Sequence, residues 1–319
     1  MADSVHSFRH KRAGRLVLHA KPLPRMLRRI IAGLLFAMAH ISAAIAITVT
    51  DDDGKQITLA HPARRIISLA PHVTELLFAA GAGDRIVGTI RYSDYPPAAL
   101  AIPRIGDSFI VDSERALALR PDLMIVWLHG NPEGQLDKLR RLGIPVFSSE
   151  PHTLADIAST IRRFGALAGT EPAAERAASA FEARVAALRE RYSTRPPVRV
   201  FYQISERPLL TINGRHLIDD VIRLCGGVNV FAQLPVLVPA ISAESVVAAN
   251  PEAIVSAGGE SGNETGFERW SKLSSMTAAR RHNMILLFSD TISRQSDRVL
   301  DGARALCERL DEVRAKRPR

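Results

Sequence analysis

The chain has 319 residues, 46% hydrophobic and 24% charged, with a mean hydropathy of +0.03. That composition excludes disordered, collagen-like and polytopic membrane classes. A net charge of +9 suggests a nucleic-acid binder until the charges are located. Residues 1–46 carry eight Lys/Arg, from Arg9 to Arg29, against Asp3 alone, which leaves 34 basic and 32 acidic groups in residues 47–319. So balanced a remainder has no field with which to gather phosphates, and no nucleic-acid partner is expected.

Residues 30–46 form an apolar run that follows Arg28-Arg29 and ends in Ala44-Ile45-Ala46. This is the pattern of a secretory signal peptide cut after Ala46. A start at Met26 would give a 21-residue signal of ordinary form. His40 and Ser42 interrupt the run and no basic flank follows it, which speaks against a membrane anchor. No cysteine near the cut could carry a lipid. The expected product is soluble, exported to a periplasm and monomeric. Cys225 and Cys307 are the only cysteines. In an oxidising compartment they are expected to pair, the alternative being two buried thiols. Closing a loop of ~80 residues would contribute roughly 4 kcal/mol in the chain-entropy model.

Residues 47–59 alternate apolar and polar around Asp52-Asp53-Gly54 and predict a β-hairpin. A short buried strand follows at 64–69, then a helix capped by Thr74 and stopped at Gly81. Strand-like runs recur at 84–90, 123–128 and 144–149 with helical stretches between them, the pattern of βα units on a parallel sheet. Residues 171–192 are the longest helical pattern, with a 3.6 period of Ala, Leu, Phe and Val, closed by Thr194, Arg195 and Pro196-Pro197. Beyond it the alternation resumes at 198–204, 217–225, 253–258 and 284–289.

The two halves repeat each other. Glu114 is followed seven residues later by Pro121, an acid and an apolar strand, and Glu244 likewise by Pro251, Glu252 and a strand. Residues 74–88 and 217–231 share a helix, a Gly stop and a strand. The fold expected is α/β: two similar α/β lobes bridged by one long helix, with a ligand cleft between them. The boundaries are a lobe over 47–168, a connecting helix over 169–196 and a lobe over 197–319.

Four segments, at 68–97, 113–127, 221–232 and 241–255, resemble the ferric-siderophore, haem and vitamin B12 class of ABC-transporter substrate-binding proteins. Arg91–Pro97, Val126–Asn131, the Cys225-Gly226-Gly227 segment and Ile241–Ser245 are most similar to the members that carry vitamin B12. The resemblance implies the helical-backbone metal-receptor fold, and cobalamin or a related corrinoid as transported ligand rather than as cofactor. It further implies an ABC permease with its ATPase as partner. Carried over position by position, the pocket would use Tyr92, Phe109 and Trp127 as flat faces, and Asp290 and Arg294, in a loop over 289–294, as polar contacts. Phe109, after Ser108, and Val238 stand where those members have further tryptophans. Glu114 and Glu244 would each dock one lobe onto permease arginines. Their other reading is simple complementation of a helix N-terminus, favourable by ~0.3–1 kcal/mol.

Haem is the alternative ligand, with Tyr92, His72, His129 and His216 as axial candidates. A ferric siderophore, its charge met by Arg91, Arg104 or Arg207, is a third. Beyond the leader, where His6 and His10 alone stand four apart, no histidine pair has i,i+4 or H-x-H spacing, so no resident metal site is expected. The sequence also lacks a G-x-S-x-G elbow, an H-E-x-x-H and a C-x-x-C, so no catalytic residues and no enzymatic activity are expected. The Gly-rich stretch 256–266 has no phosphate-loop Lys and reads as a mobile loop near the cleft.

Overall fold

The computed structural model describes residues 46–258 and 266–318. The leader pattern, Met26 and most of the Gly-rich stretch lie outside the described residues. An antiparallel hairpin opens the fold, β1 (Ile47–Thr50) and β2 (Gln56–Leu59). The first parallel sheet follows: β3 (Ile66–Ser68), α1 (Pro71–Ala79), β4 (Ile86–Thr89), α2 (Ser113–Ala118), β5 (Leu123–Trp127), α3 (Glu133–Arg140), β6 (Val146–Ser149) and α4 (Leu154–Ala168). The long helix α5 spans Glu171–Tyr192. The second sheet is built from β7 (Val198–Gln203), α6 (Leu217–Leu224), β10 (Gly227–Asn229), α7 (Ala243–Ala249), β11 (Ala253–Gly258) and β12 (Met284–Phe288). A small hairpin, β8 (Ser205–Glu206) with β9 (Leu209–Leu210), branches from β7. Short helices α8 (Glu268–Ser271), α9 (Thr277–Arg280) and α10 (Ser289–Ile292) flank the last strands, and α11 (Val299–Ala315) closes the chain.

The strand orders are β4-β3-β5-β6 and β10-β7-β11-β12. They superimpose in sequence: first, second, third and fourth parallel strands take the same places in both sheets. The repeated Pro-acid pair has a common job. In the first lobe the Asp122 carboxylate accepts from the Arg64 and Arg65 amides at 2.8 and 3.0 Å, while the Arg65 side chain donates to the Leu119 carbonyl closing α2. In the second, Glu252 accepts from the Arg199 amide at 3.2 Å, and the Arg199 side chain donates to the Ala249 carbonyl closing α7. Each helix then turns into its strand through a left-handed residue before the proline, Arg120 (φ 46°) and Asn250 (φ 41°). The same lock thus satisfies helix-end carbonyls in both lobes and fixes the helix that carries Glu114 or Glu244 against its sheet.

Alternation along the strands divides the core. Ile66, Leu123 and Ile125 face one way, and Ile67, Met124 and Val126 the other. Val200, Tyr202 and Val255 likewise oppose Phe201 and Ile254. Both faces of each sheet are covered, as parallel sheets require. The inner faces belong to a single apolar cluster that runs from Ile66 and Phe147 through Ala178 and Phe181 of α5 to Val200 and Leu306. Arg162 of α4 clamps α5 further, reaching Glu175 and Glu182.

Two local expectations are corrected. Thr74 does not cap a helix: α1 begins three residues earlier, with Pro71 in its first turn and Ala70 as N-cap. Proline suits that position because its missing N–H would be unpartnered there anyway. Thr74 is buried, its hydroxyl bonded to Ser68 at 2.7 Å and Thr89 at 3.0 Å, which ties α1 to β3 and β4. The segment 289–294 is not wholly a loop, since Ser289–Ile292 forms α10.

Cys225, at the end of α6, and Cys307, within α11, form a disulfide. Replacing both by alanine should lower unfolding stability by about 4 kcal/mol from loop entropy alone. Chemical denaturation measures this, and an unchanged midpoint would show that the bridge contributes nothing.

Candidate functional site

Parallel strands end their hydrogen-bonding ladder at the carboxyl edge, where irregular backbone can meet a ligand. Both sheets turn that edge toward one cavity of about 390 Å³. Trp127, the last residue of β5, supplies the first-lobe wall. Tyr202, Ile204, His216, Val238, Ala257 and Ile292 supply much of the second-lobe wall. A slightly larger depression, about 420 Å³, is lined only by first-lobe residues such as Arg65, Phe78 and Leu119. It lacks convergent elements from the two sheets.

Trp127 is half-buried and held from three sides. Its amide donates to the Asn131 side chain at 2.8 Å. His72 packs edge-on against the indole with ring centroids 5.5 Å apart. Gly130 passes so close that a Cβ there would lie 1.9 Å from the ring, so only glycine fits. Asn131 also donates to the Ser108 carbonyl at 3.0 Å, which anchors the loop bearing Phe109 beside Trp127. Asp107 braces that loop by accepting from the Phe109 and Ile110 amides. These bonds, the one to Ile110 first, hold the Asp107 carboxyl below its ordinary pKa.

Phe109 and Tyr92 do not line the cavity. They stand out on first-lobe loops, 71% and 63% exposed. Tyr92 takes a left-handed backbone (φ 67°), uncommon for a bulky residue. Arg91 lies over its ring, 5.2 Å from the centroid.

Arg294 is the centre of an ion cluster. Its guanidinium meets Glu75 at 2.7 Å, Asp94 at 3.0 Å and Asp290 at 3.0 Å. Glu75 is 2% exposed in the middle of α1 and also accepts from Arg298 at 3.2 Å and from the Ser296 hydroxyl at 2.5 Å. Arg298 in turn covers Tyr95, 3.9 Å from the ring centroid. A buried carboxylate from one lobe is therefore matched by two cations from the other. Asp290 and Arg294, expected as a polar ligand contact, lie together beside the cavity-lining residues Ile292, Ser293 and Gln295, but Arg294 is committed to three carboxylates.

Among the other cations, Arg104 is turned inward, donating to the carbonyls of Ala99, Ile102 and Ser93. Arg207 is exposed. Of the histidines, His72 is buried behind Trp127, and burial holds its pKa down to about 3. His216 lines the cavity and caps α6, its Nδ1 accepting from the Ile218 amide at 3.1 Å. Burial, with His152 nearby, depresses it to about 4. His129 is exposed and bonded through Nδ1 to the buried Glu150 carboxylate. Tyr202 has its pKa raised to about 12 by burial, so its hydroxyl keeps its proton. Several buried polar atoms at this edge have no protein partner, among them His72 Nε2, Trp127 Nε1, Ser149 Oγ and Gln295 Oε1.

Glu114 and Glu244 are exposed, each the second residue after its N-cap, Asp112 or Ser242. Backbone and Ser242 hydrogen bonds hold the Glu244 carboxyl below its ordinary pKa. Helices in parallel α/β units run opposite to their strands, so both glutamates stand on the edge of their sheets that also forms the cavity. Among the described residues no cluster of three or more metal-ligating side chains occurs, and no helix is long and apolar enough to cross a membrane.

A family model described as periplasmic binding protein matches residues 66–291. The chain belongs to that family. It is 38% identical over 249 residues to a vitamin B12-binding protein of Vibrio cholerae, a match covering 78% of this chain and 90% of that one. The crystal structure of the periplasmic vitamin B12 binding protein of Vibrio cholerae aligns with a TM-score of 0.72 at 37% identity, covering 79% of this chain and 98% of the other. A periplasmic heme-binding protein from Roseiflexus aligns with a TM-score of 0.66 at 25% identity, covering 79% and 99%. The two-lobed α/β architecture is that of periplasmic binding proteins.

Sequence reasoning missed Glu75 and, apart from His216 and Val238, the second-lobe wall. The only signal for Glu75 was a lone acid inside the apolar run from Val73 to Ala80. Tyr202 and Ile204 sit in an apolar run that reads as core, and Ile292 is a lone apolar residue in the polar segment 289–294.

The two shielded histidines give the fold a pH dependence. An unfolded chain protonates each near pH 6.5, the folded chain only near 3 and 4. Their contribution is complete above pH 6.5 and is lost as pH falls toward the folded values. At pH 5 each should cost about 2 kcal/mol relative to pH 7.5. Asp297, raised chiefly by burial, acts with the opposite sign. Urea denaturation of the wild type and of a His72→Gln/His216→Asn variant at both pH values isolates the term. The variant should lose about 4 kcal/mol less; equal losses would show that neither histidine is shielded.

Proposed function

We propose that the chain is an exported receptor that binds cobalamin or a related corrinoid in the cleft and delivers it to an ABC permease with its ATPase, without chemical turnover. The observation that supports this best is the cavity where the carboxyl edges of both sheets meet, walled by Trp127 and apolar second-lobe residues. A corrin ring is wider than this cavity, so its rim would rest on the exposed apolar groups Tyr92, Phe109, Ile204 and Phe288. Kinship to vitamin B12-binding proteins at 38% identity points the same way. Export is supported by the leader pattern at 30–46.

Of the arginines expected for a strongly anionic siderophore, Arg91 and Arg207 are exposed but Arg104 is not free. Arg104 is spent on backbone carbonyls and Arg294 on carboxylates, so neither offers a free guanidinium. Haem keeps one supporting observation, the kinship in sequence and fold to a heme-binding protein at 25% identity.

Calorimetric titration of residues 47–319 with cyanocobalamin tests the reading, with haemin titrated in parallel by absorption. One-to-one cobalamin binding should weaken roughly 30-fold, about 2 kcal/mol, in Trp127→Ala. Absence of cobalamin heat together with a shifted haem band would overturn the corrinoid assignment.

Glu114 and Glu244, one per lobe on equivalent helices, are the proposed contacts with a permease. Glu114→Lys/Glu244→Lys should abolish uptake in cells while leaving cobalamin affinity within twofold. Undiminished uptake would remove the docking role.

A further inference from the structure

Among the described residues, the cavity at the carboxyl edges of the two sheets is lined without a Lys, Arg, Asp or Glu; its polar groups are hydroxyls, amides, the Trp127 indole and His216. Arg294, whose neighbours Ser293 and Gln295 belong to the lining, is held by Glu75, Asp94 and Asp290. The Asp94 and Asp290 side chains are 46% and 40% exposed and that of Arg294 13%, so this cluster turns carboxylates rather than a cation to solvent. An anionic group entering the cavity would meet no counter-ion on these walls. Burying an ion without one costs more than a single N–H donor returns.

His216 is the N-cap of α6, its Nδ1 accepting from the Ile218 amide at 3.1 Å. An accepting nitrogen carries its lone pair, so the proton of the neutral ring sits on Nε2. Burial, with His152 nearby, keeps the ring neutral around pH 7. Nε2 has no partner among the described residues, and it is not sealed off as His72 Nε2 is. The helix thus fixes the tautomer, and a ring in the cavity wall keeps one open N–H. A nitrogen that holds a proton has no lone pair for a metal, so with the cap in place this ring donates to an oxygen and is closed to haem iron. We infer that His216 is a specificity-determining residue, whose Nε2–H donates to a side-chain carbonyl of the bound macrocycle in a cavity that accepts carboxamides and turns away carboxylates. The inference rests on the cleft being a corrinoid site and narrows that reading to the amidated form. An amide oxygen takes the N–H and brings no charge; a carboxylate takes it equally well but arrives as an unpaired ion.

Dicyanocobinamide and dicyanocobyrinic acid share a ring and axial ligands, and differ in carrying carboxamides or carboxylates. Both are titrated calorimetrically into residues 47–319 at neutral pH, with cyanocobalamin as control. Cobinamide should bind about 100-fold or more tighter than the acid. His216→Ser keeps an oxygen to cap α6 and removes the N–H; it should weaken cobinamide and cyanocobalamin roughly 3–10-fold. Nitrogen-15 spectra of the wild type should show the His216 proton on Nε2, and that proton should move downfield when cobinamide is added. No difference between cobinamide and the acid, undiminished cobinamide binding in His216→Ser, or a bare Nε2 overturns the inference while cyanocobalamin binding leaves the receptor reading intact. Failure to bind cyanocobalamin overturns both.

Discussion

A carboxylate 2% exposed, in the middle of an apolar helix, has to be matched by cations or it would not stay ionised there. Glu75 meets that demand across the cleft rather than within its own lobe. Arg294 and Arg298 both arrive from the segment between β12 and α11, and Ser296 between them takes the second carboxylate oxygen. Because a buried ion of one sheet is neutralised only by the other, the lobes have one well-defined relative position at this point. The cavity wall formed by Ile292, Ser293 and Gln295 is set in the same stroke, since these residues immediately precede or interleave with the ion-pairing ones. Asp94 and Asp290 then complete the neutralisation of Arg294 at the cluster's outer side. The segment expected to grip a ligand is therefore first a device for spacing the lobes.

Much of the architecture could be read from the residues. Alternation of short β-branched runs with helical stretches predicted two parallel sheets, and the repeated glutamate–proline–acid spacing predicted that they are alike. Strand order then supplies the physical basis: the acid two residues beyond each left-handed turn residue takes backbone amides of the neighbouring strand, and the arginine beside those amides closes the helix. The spacing was legible because the turn tolerates little variation. The arginine partners, Arg65 and Arg199, lie 57 and 53 residues away from their acids and carry no local signal.

The site was legible in part. Trp127 ends a strand, where apolar periodicity stops and a large aromatic is conspicuous, and it does line the cavity. Tyr92 and Phe109 were recognised by kinship and occupy exposed loops outside the cavity lining, tied to their surroundings by contacts such as Asp94 with Arg294 and Asn131 with Ser108. Much of the second-lobe wall was illegible for a simple reason: Tyr202 lies near the end of a strand whose earlier residues are core, with Ile204 just beyond it, and nothing in a buried β pattern marks where burial ends and a ligand face begins. Thr74 illustrates the opposite error. A good capping residue was given a helix start, whereas Pro71 had the better claim and the threonine hydroxyl was needed inside.

The apolar cluster that passes through α5 without a break has a calorimetric consequence. Two lobes with separate cores would melt independently, each with its own transition. Here Ala178 and Phe181 belong at once to the packing of Ile66 and of Val200, so loss of either sheet strips apolar cover from the other. The molecule should absorb heat in a single cooperative peak, with equal calorimetric and van't Hoff enthalpies. Residues 46–318 are two-lobed in architecture and a single domain in their thermodynamics.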